Sequence, residues 1–299
     1  MSIRVDPNLS SELIAGLDLN QQSVNVDLEE LSTGKDVNSL GDNPSAAASL
    51  VGNQTQSAQV DQFLSNISSV QGLLQVGDST MSSVVNLMSQ AISLGVEGAN
   101  GTLSASDRQS IASQMSGIMQ QMVGLANTTY QGNYIFAGTN DQTPAFTLDA
   151  SAPDGVTYNG NTDVNNVQLS TGQTMAVNVP GSQIFQNSSG DVFGALNQMI
   201  TALQSGTGVA AANTALENAF NAVNSQRVFY GNGGAELDTA QSFLNQENVE
   251  LTQQQTDLVG ADMGAVASDY SQAQVQQQAL LAASGKILGQ PTLFDYLPT

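Results

Sequence analysis

Carboxylates are nearly the only side chains in this sequence that could do chemistry. The chain of 299 residues has 26 acidic and five basic residues, and it contains neither cysteine nor histidine. Thiol nucleophiles, histidine general bases, Ser-His-Asp triads and the common zinc sites are therefore excluded. We predict from this composition that the chain is not an enzyme and has no catalytic, metal or cofactor site.

Two patterns of acidic and amide residues could still indicate a site. Paired carboxylates would suit a secreted protein that binds or hydrolyses glycans, but with 26 carboxylates some pair is always available. Asn161, Asp163 and Asn165 alternate as the ligands of a calcium loop do. That loop also needs a glycine and a bidentate glutamate, where this chain has Asn166 and Gly172. Turn chemistry explains the amides better, and the glycan function is kept only as a remote alternative.

The charge of the chain excludes other classes of partner. The net charge is −21, and five scattered cations cannot build a basic patch, so we predict no binding to nucleic acid or to an anionic membrane surface. No run of about 18 apolar residues could cross a membrane. The first thirty residues also lack the apolar core of a secretory signal. Export, if it occurs, would use a route without a cleavable signal peptide. The cations are Arg4, Lys35, Arg108, Arg227 and Lys286.

The segment from Val60 to Ala91 predicts the element on which the other helices pack. Steps of three and four residues give an apolar stripe over more than four heptads, with Gly77 as its exception, which is typical of a coiled-coil-like bundle. A second stripe runs through seven heptads after Ser205–Gly208 and is apolar at one position only, so this helix should lie between two others. The second stripe consists of Leu216, Val223, Tyr230, Leu237, Leu244, Leu251 and Leu258.

Between these stripes the sequence predicts a third helix and then a β region. Ser104 and Asp107 have the spacing of a capping box, and the helix after them repeats methionine and isoleucine, which we interpret as core residues together with Met81 and Met88. The glycines Gly231, Gly233 and Gly234 leave open a kink or break in the later helix. The β runs are Val156–Tyr158, Val167–Leu169, Met175–Val179 and Ile184–Phe185, with Asn159-Gly160 as a hairpin signal.

These patterns predict a mainly α protein with a small β-rich insertion, an elongated helical bundle or coiled coil made from both ends of the chain. We expect three domains. Residues 1–42 and 260–299 would form a terminal coiled-coil domain used in assembly. Residues 43–131 and 191–259 would form a central helical bundle, and residues 132–190 an exposed β-rich domain.

The two ends of the chain carry shorter and interrupted stripes. The first is Ile14, Leu17, Gln21, Val24, Leu28 and Leu31, ended by Gly34, after a flexible start over Met1–Ser10. The last is Met263, Val266, Tyr270, Ala273, Leu280 and Ile287, interrupted by Gln277 and Ser284, and an apolar tail follows it at Leu293, Phe294, Tyr296 and Leu297. The first helix could pack only within its own domain, or its partner could come partly from other copies of the protein.

We predict that the apolar residues of both ends form an assembly interface. Each end could gain about 10 kcal/mol from burial of its large apolar groups. Ordering about 25 residues costs about 1 kcal/mol or more for each backbone. The ends should therefore become ordered when neighbouring subunits add contacts. The predicted interface residues are Ile14, Leu17, Val24, Leu28, Leu31, Met263, Val266, Tyr270, Leu280, Ile287, Leu293, Phe294, Tyr296 and Leu297.

Three segments carry a family resemblance. Leu31–Ala48 resembles the N-terminal signature of the flagellin superfamily, and Gly132–Thr139 with Pro144–Phe146 is more similar to the hook-associated proteins of type 3. Arg227 and Gly231 followed by Leu237 resemble that family's C-terminal helix region, and Leu293–Leu297 resembles its C-terminus.

That resemblance implies a flagellin-like fold and a structural, self-assembling subunit of the flagellum at the junction of hook and filament. It implies a ring of identical subunits, with the first hook-associated protein on the hook side and flagellin on the filament side. It also implies an extracellular location, export by the flagellar type III apparatus, and a cytoplasmic export chaperone that binds the C-terminal region. A flagellin filament subunit is the alternative.

Overall fold

The computed structural model describes residues 7–39 and 41–288, and the side chains of residues 11–39 and 41–286. The described part contains seven helices: α1 Pro7–Thr33, α2 Pro44–Gly98, α3 Ala105–Ala126, α4 Gly181–Phe185, α5 Val192–Ser205, α6 Val209–Val259 and α7 Met263–Leu288. Its eight strands are β1 Thr129–Tyr130, β2 Asn133–Tyr134, β3 Phe146–Leu148, β4 Val156–Tyr158, β5 Asn166–Ser170, β6 Gln173–Ala176, β7 Gln186–Asn187 and β8 Gly190–Asp191.

The predicted fold class is confirmed, because the described residues are mainly helical and the β-rich insertion lies in sequence between long helices from both parts of the chain. Contacts divide the chain into two units. The smaller unit comprises residues 1–58 with 248–299, and the larger unit comprises residues 59–247. No helix among the described residues has an 18-residue stretch apolar enough to cross a membrane.

The apolar stripe of α2 is the core of the larger unit, as its spacing predicts. Ile67, Met81, Val84, Met88 and Ala91 are fully buried. The glycine at position 77 has a physical reason, because the ring of Tyr230 from α6 lies where a β-carbon would stand. Gly77 interrupts the stripe because its missing side chain leaves room for the ring of Tyr230.

Helix α6 buries its apolar position from Leu216 to Leu251, and Leu258 is half-buried. The second core position of each heptad in α6, the position of Arg227, is polar and half-buried. There Arg227 forms a bidentate ion pair with Asp78 at 2.7 and 3.1 Å. The helix continues without a break through its glycine segment. Gly233 allows the close approach of Leu74 and Met175.

Helix α3 begins as its capping box predicts. The backbone N–H of Asp107 donates to Oγ of Ser104 at 3.2 Å, and the backbone N–H of Ser104 donates to Oδ2 of Asp107 at 3.2 Å. The methionines of this helix are core residues, with Met115 and Met122 fully buried. The following cation, Arg108, donates to the carbonyl of Leu103 at 2.9 Å.

The β region consists of four separate antiparallel hairpins, and two predictions about it are wrong. Ile184 and Phe185 belong to the short helix α4, where both are fully buried. Asn159-Gly160 does not form a hairpin turn, because β4 pairs with the preceding strand β3. The connection between those strands is instead organised by Asp149, whose carboxylate accepts from the N–H of Ser151 at 2.9 Å.

Aromatic rings join this insertion to helix α5. Phe146 lies at the centre, with ring centroids 4.9 Å from Tyr158, 5.5 Å from Phe185 and 5.0 Å from Phe193 of α5. Phe136 meets Phe185 edge-on at 5.5 Å. Aromatic pairs in these arrangements stabilise a fold by more than the burial of their area alone. The rings therefore form a core that the hairpins share with α5.

In the smaller unit, α1 begins at Pro7, earlier than the predicted flexible start allows, since proline suits the first position of a helix. The helix ends as predicted at Gly34, which has a φ of 69°. The chain there meets the segment between α6 and α7. Asp36 N–H donates to the carbonyl of Val259 at 2.8 Å, and Ala261 N–H donates to the carbonyl of Gly34 at 3.0 Å.

Candidate assembly surface

Helices α1 and α7 pack against each other in antiparallel orientation, and we call them the terminal pair. The contacts at Gly34 and Ala261 hold one end. Further along, Nδ2 of Asn20 donates to the carbonyl of Ala273 at 3.1 Å. Near the other end Gly16 faces Leu280, whose Cδ2 would lie 4.0 Å from a β-carbon at position 16. Most of the predicted interface residues are on this pair.

The structure changes the predicted stripe of α1. The stripe that faces α7 is Leu17, Asn20, Val24, Asp27 and Leu31, all buried or half-buried. Three predicted positions, at 14, 21 and 28, lie outside it, with Ile14 61% and Leu28 51% exposed. A pair of helices buries only a narrow arc on each helix, and the arc here is turned away from those three positions.

The predicted stripe of α7 lies on the face turned towards α1 over most of its length. Val266 and Ala273 are buried, while Tyr270, Gln277 and Leu280 are half-buried, so the polar interruption lies inside the pair. The remaining predicted residues are placed differently. Met263 is largely exposed, Ile287 belongs to α7 but its side chain is not among those described, and Leu293, Phe294, Tyr296 and Leu297 lie outside the described residues.

Polar groups occupy the inside of the terminal pair, which the sequence reasoning missed. Asn20 is buried and its Oδ1 has no hydrogen-bond partner among the described residues, as is also true of Oδ2 of Asp27. Desolvation and the nearby Asp269 raise the pKa of Asp27. Desolvation, followed by Asp36 and other carboxylates, raises the pKa of Glu30. The ionised carboxylates of Asp27 and Glu30 therefore oppose the pairing of the two helices.

Apolar groups lie on the outside of the same pair. Besides Ile14 and Leu28, Leu19 is 68% exposed and Val26 is largely exposed on α1. Val275 and Leu281 are exposed on α7. The sequence did contain a signal for Leu19 and Val26, because they are seven residues apart and so share one face of a helix. The terminal pair thus has polar groups among the apolar residues of its inner face, and it leaves large apolar groups on its outer faces.

The β region does not assemble a metal site. Oδ1 of Asn161 accepts from the backbone N–H of Thr139 at 2.8 Å and from that of Asp163 at 3.3 Å, so it stabilises a turn, as predicted. Within residues 7–39 and 41–288, no three carboxylates come together in a group that could hold a metal ion.

Comparisons with known proteins agree with this architecture. The family model for the bacterial flagellin N-terminal helical region matches residues 8–141, and the model for the bacterial flagellin C-terminal helical region matches residues 214–291. A solved structure of a putative flagellar hook-associated protein from Vibrio parahaemolyticus aligns with a TM-score of 0.68 at 21% identity. That alignment covers 73% of this chain and 100% of the other, and it shows a shared fold.

Curated relatives distinguish between the branches of the superfamily. Flagellar hook-associated protein 3 of Escherichia coli is 30% identical, and that of Salmonella typhimurium is 32% identical. Each alignment covers 86% of this chain and 87% of the relative. A flagellin of Listeria innocua is only 22% identical, over 93% of both chains. The chain belongs to the flagellar hook-associated protein 3 family of structural flagellar proteins.

Proposed function

We propose that this chain is a self-assembling structural subunit of the bacterial flagellum that joins the hook to the filament. The observation that carries the assembly role is the outer surface of the terminal pair, where four large apolar side chains of α1 and three of α7 are exposed. On α1 they form two rows at heptad spacing, Ile14 with Leu28 and Leu19 with Val26, as do helix faces that pack against other helices. The assignment to the hook–filament junction rests on the similarity to hook-associated protein 3, which exceeds the similarity to flagellin.

The proposed partners follow from that role. Identical subunits would form a ring, the first hook-associated protein would lie on the hook side, and flagellin on the filament side. A cytoplasmic chaperone would bind the C-terminal region before export through the flagellar type III apparatus, and the protein would be extracellular in the flagellum. The proposed domains keep the predicted division into terminal, central and β-rich parts, and we propose no catalytic activity.

The proposed interface combines predicted and newly identified residues. Ile14, Leu28 and Met263 of the predicted set are available on the surface of the terminal pair, and Leu19 and Val26 extend it. Other predicted residues lie between the two helices, among them Leu17, Val24 and Val266. They would hold the helices together and so position the exposed interface residues.

A deletion strain tests the junction role. Loss of the protein should leave hooks intact but without filaments, and flagellin should accumulate in the medium. Electron microscopy of the cells and an immunoblot of the medium measure both effects, and the wild-type gene in trans is the control. Missing hooks or normal swimming would contradict the proposal.

Point variants test the surface itself. Leu19→Ser with Val26→Ser should restore few filaments in the deletion strain, while circular dichroism of the purified protein stays unchanged. Val96→Ser is the matched control, because Val96 is an exposed valine of α2 that lies outside the terminal pair. Equal filament recovery by both variants would overturn the assignment of this surface.

A further inference from the structure

Asn20 is an unusual residue of the terminal pair. Its side chain is only 8% exposed and lies on the inner stripe between Leu17 and Val24. Nδ2 donates to the carbonyl of Ala273 at 3.1 Å and lies 3.5 Å from Oε1 of Gln276. A leucine at this position would avoid burying a half-satisfied amide, so the asparagine does not serve the stability of the pair.

Apolar packing alone does not define how α1 and α7 align. Residues on each stripe recur every seven residues, so a shift of one helix by seven residues brings a similar stripe into contact. The backbone hydrogen bonds at Gly34 and Ala261 anchor only one end of the pair. An additional determinant within the stripe is needed to favour one alignment.

The environment of Asn20 exists only in the observed alignment. Ala273 is small, and its carbonyl accepts a hydrogen bond from the amide of Asn20. At the same level Nε2 of Gln277 donates to Oε1 of Gln21. A shift of seven residues would replace Ala273 by the larger Leu280 or Val266, and Gln277 by Ser284 or Tyr270. Either shift places a larger side chain opposite Asn20 and removes the glutamine pair.

We propose that Asn20 is a register-determining residue that selects the observed antiparallel alignment of α1 and α7. A single buried asparagine fixes the alignment of other helical pairs at a cost in stability. The alignment matters because a seven-residue shift would move Val275 and Leu281 by about 10 Å relative to the exposed residues of α1. Its importance for assembly rests on the proposed function, but the alignment itself is made between two helices of one chain, so cysteine pairs can trap it even when the pair opens often in the monomer.

Disulfide trapping in the full-length chain tests this proposal, since the chain has no native cysteine. Gly16→Cys with Leu280→Cys reports the observed alignment. Ser23→Cys with Leu280→Cys reports a shift in one direction, and Ser23→Cys with Val266→Cys reports a shift in the other. Oxidation in dilute solution and gel mobility measure the intrachain yield of each cysteine pair.

The Asn20→Leu substitution should lower the yield of the first cysteine pair by about threefold or more and raise one of the shifted pairs by a similar factor. Gln22→Leu is the matched control, because Gln22 is an exposed amide on the same helix, and it should leave all three yields unchanged. Unchanged yields in the Asn20→Leu chain would overturn the proposal and assign the alignment to the anchor at Gly34. A loss of the first pair without a gain in either shifted pair would also overturn it, since the helices would then have separated.

Filament recovery in the deletion strain distinguishes this proposal from the proposed function. A shifted alignment together with normal filaments would preserve the register role of Asn20 and contradict its importance for assembly. An unchanged alignment together with lost filaments would contradict the register role of Asn20 and preserve its importance for assembly.

Discussion

The stripes of α2 and of the terminal pair share one spacing but differ in what they bury. Along α2 the buried stripe from Ile67 to Ala91 consists mainly of methionine, valine and leucine. Its exception is Gly77, which leaves room for the ring of Tyr230. The terminal pair encloses Asn20 and Asp27 and leaves Leu19 exposed. Heptad spacing therefore predicts that a segment is helical and amphipathic, whereas the composition of the buried face indicates whether the helix is stable within one chain.

Cavity-creating substitutions should lower thermal stability much more in the core of the larger unit than in the terminal pair. Leu237→Ala removes a fully buried side chain of α6 and should lower the free energy of unfolding by about 2–5 kcal/mol. Val24→Ala, in the terminal pair, should leave the main thermal transition unchanged and reduce incorporation into flagella. Calorimetry and filament recovery measure the two outcomes, and a similar loss of thermal stability in both variants would remove the contrast between the regions.

A glycine substitution tests the close contact between α2 and α6 in this core. Gly77→Ala places a methyl group against the ring of Tyr230 and should cost about 1–3 kcal/mol. Gly231→Ala is the control, because a β-carbon there has no neighbour within 4 Å. The control should raise the free energy of unfolding by up to about 1 kcal/mol, since alanine favours helix more than glycine does. Urea denaturation measures both changes, and destabilisation by both would argue against the close contact.

Acidification should act on the terminal pair in a predictable direction. The raised pKa values of Asp27 and Glu30 mean that the folded pair binds more protons than the unfolded ends. The stability of the pair therefore falls as the pH rises through and above about 4, and lowering the pH from about 7 towards 4.5 should increase amide protection in α1. The Asp27→Asn substitution should weaken this dependence. An equal pH response in both proteins would assign it to the overall charge.

The smallest effect is expected at the ion pair of Arg227 and Asp78. Both side chains are partly exposed, so solvent screening limits the pair, and Arg227→Met should cost only about 0.2–1 kcal/mol. A difference in urea midpoint between low and high salt, present in the native protein and absent in the variant, is the measurement. A much larger loss would mean that the residue has a packing role as well.

Much of the fold could be predicted because the stripes of α2 and α6 are long. A repeat over several heptads averages out individual exceptions such as Gly77, whose cause, the ring of Tyr230, only the structure shows. The stripe of α1 was less predictable, because which arc of a short helix is buried depends on the partner. Exposure of Ile14 and Leu28 follows from the alignment with α7, which a single segment does not encode.

The β region was predicted less well for a similar reason. Asn159-Gly160 is a strong local hairpin signal, but β4 takes its partner from the preceding strand β3. Phe185 has an apolar, strand-like neighbourhood in sequence, yet its packing against Phe146 and Phe193 is made from a short helix. In both cases tertiary contacts determined a structure for which local propensity favoured another answer.

We expect the terminal pair to gain its stability from assembly. Hydrogen exchange of the dilute full-length monomer and of assembled flagella tests it most directly. We predict that amides from Leu17 to Leu28 exchange rapidly in the monomer, while those from Met81 to Met88 are strongly protected, and that both segments are protected after assembly. Strong protection from Leu17 to Leu28 in the dilute monomer would contradict the account.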